Sequence, residues 1–140
     1  MSLPDTNTII RTYLLTQPVA ALVTNRIYCP RAPENAVLPN ITFLTRGGTS
    51  LPIVDGIVSP SIQFDCWDDD PIDARTIYRS LFDCLQGIGG YYDAYTPVVV
   101  GANTYYILSA REEVQGQDYQ DEIPNYFSIR TFFEIKIKGG

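Results

Sequence analysis

Histidine is absent from this chain, and lysine is confined to Lys136 and Lys138, beside the C-terminus. Without histidine, a Ser-His-Asp or Cys-His nucleophile cannot form in its usual arrangement. The three cysteines, Cys29, Cys66 and Cys84, are far apart and odd in number, which favours small core residues in a reducing cytoplasm over a disulfide framework. A zinc site would need histidines or closely spaced cysteine pairs. These shortages disfavour an enzyme and a metalloprotein.

Positive charge is scarce as well, because 10 lysines and arginines stand against 16 acidic residues, for a net charge of −6. An acidic surface repels phosphate backbones, so nucleic-acid binding would need a local basic cluster. The arginines are scattered along the sequence without forming one. No apolar run approaches the roughly 20 residues of a membrane helix, and the N-terminus lacks the basic and apolar regions of a secretion signal. We therefore expect neither membrane nor ordinary nucleic-acid binding.

The size and composition are those of one folded domain. The chain has 140 residues, of which 45% are hydrophobic, so it can bury a core of its own. No internal repeat, low-complexity tract or composition shift divides it. We therefore predict a single domain over residues 1–140.

Residues 61–85 organise the rest of the chain. Apolar and polar residues alternate over 62–67, which predicts a strand, and Asp70 and Pro71 then provide an N-cap and a first helical residue. Apolar residues recur at helical spacing from there, so we predict an amphipathic helix over about 71–86 that folds back across the sheet. The residues expected in the core beneath it are Phe64, Ile77, Leu81, Phe133 and Ile135.

The remaining segments complete a mixed fold. A helical stripe follows Asp5 and is interrupted before Pro18, and Pro60 indicates a bulge or an edge position in its strand. The predicted fold class is α+β, a mostly antiparallel sheet flanked by an N-terminal helix and the central amphipathic helix. The other predicted strands are residues 40–45, 51–58, 97–100, 104–110 and 127–137.

Residues 112–125 are polar, acidic and without any period. This pattern predicts a long solvated loop, and a loop of that length in a compact domain often has a function.

The last predicted strand carries one unusual feature. Phe132 lies beside Arg130 on its mostly polar face, and Trp67 occupies a similar place on its own strand. Large aromatic residues on polar faces are candidates for a subunit interface, which we assign to Trp67, Arg130 and Phe132. Burial under a loop of the same chain would explain the aromatic residues equally well. We also expect this strand to be an edge, without obvious protection, that a neighbouring subunit pairs with or covers.

The run Asp68-Asp69-Asp70 admits two interpretations. Clustered carboxylates can hold Mg²⁺ for phosphoryl chemistry. The same run is also a polar turn whose last member caps a helix, and we favour this second interpretation.

The order of these parts resembles the tail-completion, or tail terminator, proteins of long-tailed bacteriophages. An Asn-Arg-Ile-Tyr segment at 25–28 precedes a Leu-Pro-Asn-Ile-Thr-Phe strand at 38–43. A strand ending Phe-Asp-Cys-Trp at 64–67 then leads into a helix that begins Pro-Ile-Asp-Ala at 71–74. The resemblance covers roughly residues 5–88 and lies in the order of these short motifs, whereas the tyrosine-rich stretch 91–106 and the acidic stretch 112–125 match no motif of the family.

This resemblance implies a structural protein of the virion. The subunits would form a ring, usually of six, that caps the tail tube at its head-proximal end, stops its growth and offers a surface to the head connector or neck protein. It implies no catalytic residue, metal or cofactor, and it places the protein in the host cytoplasm before assembly. DNA would only pass through the lumen, where negative charge lets it slide. The candidate residues of a lumen-facing or tube-facing loop are Glu112, Glu113, Asp118, Asp121 and Glu122.

Two alternatives stay open at this point. One is a neck or connector adaptor, or another minor virion component with a related subunit. The other is an acidic, metal-dependent enzyme built around the aspartate run.

Overall fold

The computed structural model describes residues 5–33, 36–50, 57–86, 88, 96–121 and 126–139. Side chains at 49, 50, 119–121, 126 and 139 lie outside this description. In chain order the elements are α1 (Thr6–Leu15), α2 (Pro18–Leu22), β1 (Ile27–Tyr28), β2 (Asn40–Ser50), β3 (Ile57–Asp68), α3 (Pro71–Leu85), β4 (Thr96–Val100), β5 (Asn103–Asp121) and β6 (Tyr126–Gly139).

The strands form one six-stranded sheet in the order β1-β2-β3-β6-β5-β4. Only the β1–β2 pair is parallel, and the other four pairs are antiparallel. Helix α1 contacts β1 and β2 at one side of the sheet and β4 at the other, so the sheet curls around it. The predicted α+β class with a mostly antiparallel sheet is confirmed. The C-terminal strand β6 lies between β3 and β5, so the prediction that it forms an edge is wrong.

Helix α3 begins and ends as the sequence predicts. The Asp70 carboxylate accepts a 2.8 Å hydrogen bond from the Ile72 amide, and Pro71 occupies the first helical position. Pro71 lacks the amide hydrogen that would otherwise be unpaired there, which makes the strand-to-helix transition abrupt. The predicted helix cap is therefore confirmed.

The core lies between the three described helices and one face of the sheet. All five residues predicted for it are buried, with at most 3% of their surface exposed. The rings of Phe64 and Phe133 meet edge to face at 5.8 Å, and Phe82 of α3 lies 6.4 Å from Phe133. Cys66, one of the three cysteines expected to be small core residues, is also fully buried in this core. Its burial raises the pKa of its thiol. Its place on a strand facing α3 explains why it behaves as a small apolar residue.

The two N-terminal motifs of the resemblance are in direct contact. The Arg26 guanidinium donates hydrogen bonds to the carbonyl oxygens of Pro39 and Leu38, at 2.9 and 3.4 Å. The next residue, Ile27, pairs with Ile41 across the parallel β1–β2 ladder. A single arginine therefore ties the proline-containing connection to the strand that precedes it.

Residues 112–121 contradict the sequence prediction. They continue β5 and pair with β6 as far as Asp121 opposite Tyr126, so the predicted solvated loop is wrong over this range. The register shifts three times along β5, between Ile107 and Ser109, Glu112 and Val114, and Val114 and Gln117. Each shift inserts residues that break the period-two pattern, which is why the sequence concealed a strand. The rest of the predicted loop, 122–125, lies outside the described residues.

Pro60 lies opposite a bulge whose extra residue belongs to β2, and β3 is a central strand, so the predicted edge position is wrong. The β2–β3 register shifts between Thr45 and Gly48, and Gly48 lies opposite Pro60. Gly48 has a φ of +130°, and a Cβ there would lie 2.3 Å from the carbonyl oxygen of Ser59. Only glycine fits this close approach, so Gly48 allows β2 to return to close pairing with β3 after its bulge.

Candidate assembly surface on the sheet

One face of the sheet carries no described helix, and we call it the helix-free face. It holds the β3 and β6 side chains that alternate with the core residues. Cross-strand pairs Trp67–Ser128, Asp65–Arg130 and Gln63–Phe132 lie on it in successive rows. The sheet therefore brings all three predicted interface residues, Trp67, Arg130 and Phe132, onto one surface. Their role in subunit contact stays a prediction.

Trp67 lies at one end of this face, in a cross-strand row with the polar residues Asn40 and Ser128. Its indole N–H donates a 3.1 Å hydrogen bond to the Thr42 hydroxyl, and its side chain is half-buried. Asn40 and Ser128 flank it as cross-strand partners. Asn40 Oδ1 and Ser128 Oγ are buried and have no hydrogen-bond partner among the described residues. Buried polar atoms normally find a partner. These two atoms can therefore form further hydrogen bonds with a group from outside the described residues.

Arg130 forms a short ion pair across β3 and β6. Its Nε lies 2.9 Å from Asp65 Oδ1, and Gln63 Nε2 donates to the other carboxylate oxygen at 3.1 Å. Only 8% of the Asp65 side chain is exposed, against 32% for Arg130. Removing one member would leave the other charge partly buried, so the pair keeps the arginine in a fixed position.

Phe132 lies beneath an arginine from β2. The Arg46 guanidinium carbon lies 4.4 Å from the centre of the Phe132 ring, within cation–π distance. Phe132 is half-buried and Arg46 is exposed. Among the described residues, the side chain that covers the ring belongs to a strand of the same chain.

A second ion pair continues the face toward β5. Arg111 Nη2 and Ser59 Oγ both lie 3.0 Å from oxygens of Glu134. The hydrogen bond from Arg111 is the main cause that lowers the pKa of Glu134. Glu113 accepts a 2.8 Å hydrogen bond from Ser61 on the same face. The carboxylates of Glu113 and Glu134 are partly exposed to water, which weakens their ion pairs and hydrogen bonds. These contacts therefore fix the positions of side chains and add little to the stability of the fold.

The strand register also places several basic residues that are far apart in the sequence on the helix-free face. Five of the ten basic residues lie on the helix-free face, with three of the sixteen acidic ones among its described side chains, a formal charge of +2. The whole chain carries −6. Strand register, which spacing along the chain does not reveal, thus places half of the basic residues on one face, where they are spread from Arg130 to Lys138 along β6. The basic members are Arg46, Arg111, Arg130, Lys136 and Lys138, and the acidic members are Asp65, Glu113 and Glu134.

The residues predicted to form a lumen-facing loop do not share one surface. Glu112 faces the helices, where it accepts 2.6 Å hydrogen bonds from Tyr78 and Thr131. Asp118 also faces α3 and pairs with Arg75 at 3.1 Å. Glu113 lies on the opposite face, Asp121 belongs to β5 without a described side chain, and Glu122 is outside the described residues. Side chains along β5 alternate between the two faces of the sheet, and the bulges shift this alternation, so these residues are separated. The prediction that they share one loop is therefore wrong over the described range 112–121.

The aspartate run borders a pocket of about 360 Å³. Asp68 Oδ1 accepts hydrogen bonds from the Asp69 and Asp70 amides at 2.7 and 3.4 Å, which fixes the turn before α3. Asp68 is buried, and this burial raises its pKa to about 6. Within the described residues, no group of three or more histidine, cysteine, aspartate or glutamate side chains is placed to hold a metal ion. The pocket is lined by Leu22, Leu38, Pro39, Asp68, Asp69, Asp73, Thr76 and Ile77.

No helix in the described part of the chain is both long enough and apolar enough to span a membrane.

Comparison with known proteins gives a likeness in structure alone. No family model matches the sequence, and no curated protein sequence matches it. Among solved structures, a chain of the "Virion of native gene transfer agent (GTA) particle" is similar, with a TM-score of 0.59. The match covers 94% of this chain and 93% of that chain at 13% sequence identity. At this identity the likeness establishes a shared fold over nearly the whole length of both chains.

Proposed function

We propose that this protein is a structural component of a phage-like virion. The observation that carries this proposal is the match of fold over nearly the full length of a chain from a gene transfer agent virion. The sequence motifs support the same class independently, because they resemble a family of phage tail proteins. We assign the chain no catalytic role.

Within that class, we infer that the protein is the tail terminator. Copies of it form a ring, of six subunits as the family resemblance implies, that caps the head-proximal end of the tail tube and ends its growth. The ring then presents its other side to the head connector or neck protein, and DNA passes through its lumen. The contact between Arg26 and the 38–39 carbonyl groups supports this assignment, because it joins two of the motifs that carry the resemblance.

One stretch of the sheet border, on β5, already has its amide donors occupied within the subunit. Beyond β4, the edge of β5 has its amides bonded to groups from α3 and the residues after it: Ala110 to the Ile88 carbonyl at 3.2 Å and Glu112 to Gln86 Oε1 at 2.9 Å. The Gly116 amide donates to the Tyr78 hydroxyl at 3.1 Å. An edge whose donors are occupied cannot add a strand from a neighbour. This stretch of β5 is therefore closed to strand addition. We infer that subunits meet through side chains of the helix-free face, where Trp67 and Phe132 are half-buried.

Electron microscopy of the purified protein, alone and mixed with purified tail tubes that lack their end protein, tests this function. We expect rings at high protein concentration and added density at one end of each tube. Tail tubes with an intact end protein are the control, since their ends are already occupied. Absence of rings at high concentration together with bare tube ends would contradict the proposal.

A further inference from the structure

We propose that the helix-free face of one subunit docks its lysine end onto the acidic start of α3 in the next copy of the same chain. This inference rests on the proposed ring and names the two surfaces that join its subunits. The lysine end is formed by Lys136 and Lys138 of β6, and the acidic start by Asp69 and Asp73.

The positive surface includes basic residues that form no ion pair with a described carboxylate. Two of the five basic residues on the helix-free face are in ion pairs with Asp65 and Glu134. Lys138 is exposed and Lys136 half-buried, and no ion pair within 4 Å involves either of them among the described residues. Their ammonium groups can therefore meet carboxylates of another molecule without breaking an ion pair among the described residues.

The negative surface has the shape to receive a lysine. Asp69 and Asp73 are exposed and make no ion pair with a described cation. Together with the buried Asp68 they line the pocket of about 360 Å³, whose other walls include Leu22 and Ile77. A lysine side chain has an aliphatic stem and a charged head, so its stem fits the apolar walls while its ammonium group reaches the carboxylates.

The two surfaces cannot meet within one subunit. Lys138 pairs with Ile57 at one end of the β3–β6 ladder, and Asp68 pairs with Phe127 at the other. The eleven residue steps of β3 between these ends span about 35 Å at the usual rise per residue. A contact between them therefore joins two copies head to tail, and repetition of such a contact gives a ring when the rotation between neighbours closes. Two identical faces would instead bring like charges together.

Carbodiimide cross-linking tests this directly, because the chain has only two lysines and both lie at the lysine end. The reagent joins an amine to a carboxylate without a spacer. In an equal mixture of unlabelled and ¹⁵N-labelled protein, we expect mixed-isotope peptides that join Lys136 or Lys138 to Asp69 or Asp73. Rings or tube-bound protein whose lysines cross-link only to other carboxylates would overturn this interface while leaving the proposed function standing. Failure to form rings or bind tubes would overturn both.

Charge-reversal variants give a second test of the proposed contact between the lysine end and the acidic start of α3. Asp69→Lys with Asp73→Lys, and separately Lys136→Glu with Lys138→Glu, should each weaken ring assembly at least about tenfold, and mixing the two variants should restore mixed rings. Asp83→Lys, an exposed aspartate near the other end of α3, is the matched control and should assemble normally. Thermal unfolding of each variant checks that it still folds. Binding of a short DNA duplex that Lys136→Glu with Lys138→Glu abolishes, with assembly unchanged, would assign the face to nucleic acid and overturn the proposal.

Discussion

The Tyr78 hydroxyl donates a 2.6 Å hydrogen bond to the Glu112 carboxylate and so fastens α3 to β5. The same hydroxyl accepts a 3.1 Å hydrogen bond from the Gly116 amide, and Glu112 also accepts a bond from Thr131 at 2.6 Å. A Cβ at residue 116 would lie 2.7 Å from the Tyr78 ring, so Gly116 allows the ring to approach the strand. Burial, and then the Glu112 bond, raise the pKa of Tyr78.

Removing this hydroxyl should destabilise the fold. Tyr78→Phe leaves the Gly116 amide and one bond of Glu112 without a partner, and we expect a loss of about 1–3 kcal/mol in the free energy of unfolding. Denaturant unfolding measures it, with Tyr106→Phe at an exposed tyrosine of β5 as the control, expected within about 0.5 kcal/mol of the original. Equal effects of the two substitutions would mean that the Tyr78–Glu112 bond contributes nothing.

The raised pKa of Asp68 predicts a pH dependence of stability. The folded protein holds this group with a pKa of about 6, above the ordinary value of 3.8, so folding favours its protonated form. Below about pH 3.8 the group is protonated in both states and folding carries no penalty. The penalty grows as the pH rises through this window and is complete above about pH 6.

Asp68→Asn removes this titration and keeps an oxygen for the turn amides. The stability of the variant relative to the original should therefore be higher at pH 7.5 than at pH 4. Denaturant unfolding at the two pH values measures this difference. A difference that does not change with pH, or that changes in the opposite direction, would contradict the assigned pKa.

Leu81 should be among the most costly positions to truncate. It is fully buried between α3 and the sheet, and Leu81→Ala should lower the free energy of unfolding by about 2–5 kcal/mol. Ile72 is on the same helix but 74% exposed, so Ile72→Ala is the control and should change stability by less than about 0.5 kcal/mol. A loss at Leu81 as small as that at Ile72 would mean that α3 faces elsewhere.

Asp70 should act as a helix cap and not as a metal ligand. Asp70→Ala removes the bond to the Ile72 amide and should lose about 0.5–2 kcal/mol of stability while assembly is unaffected. Added Mg²⁺ should leave the melting temperature of the original protein unchanged. A clear rise with Mg²⁺ that Asp68→Asn or Asp70→Asn abolishes would favour the metal-dependent enzyme instead.

The sequence could predict features that depend on residues close together in the chain, such as α3 and its cap. It missed features that depend on how the strands pair with one another. Asp70, Pro71 and the apolar stripe of α3 act within a few residues of one another, so the helix and its buried face followed from the sequence. The bulges of β5 erased the alternation that identifies a strand, and residues 112–121 were predicted as a loop. The shared face of Arg46 and Lys138 was missed because it exists only after three strands pair.

The central claim, that this protein ends tail growth, has a direct measurement. Purified tail-tube protein is allowed to polymerise, this protein is added during elongation, and tube lengths are followed by electron microscopy with fresh tube protein supplied throughout. We predict that tubes stop elongating soon after the addition and carry a ring at the growing end. The variant Lys136→Glu with Lys138→Glu, for which we expect weaker ring assembly, should stop them poorly. Tubes that continue to grow at the same rate with bare ends would contradict the account.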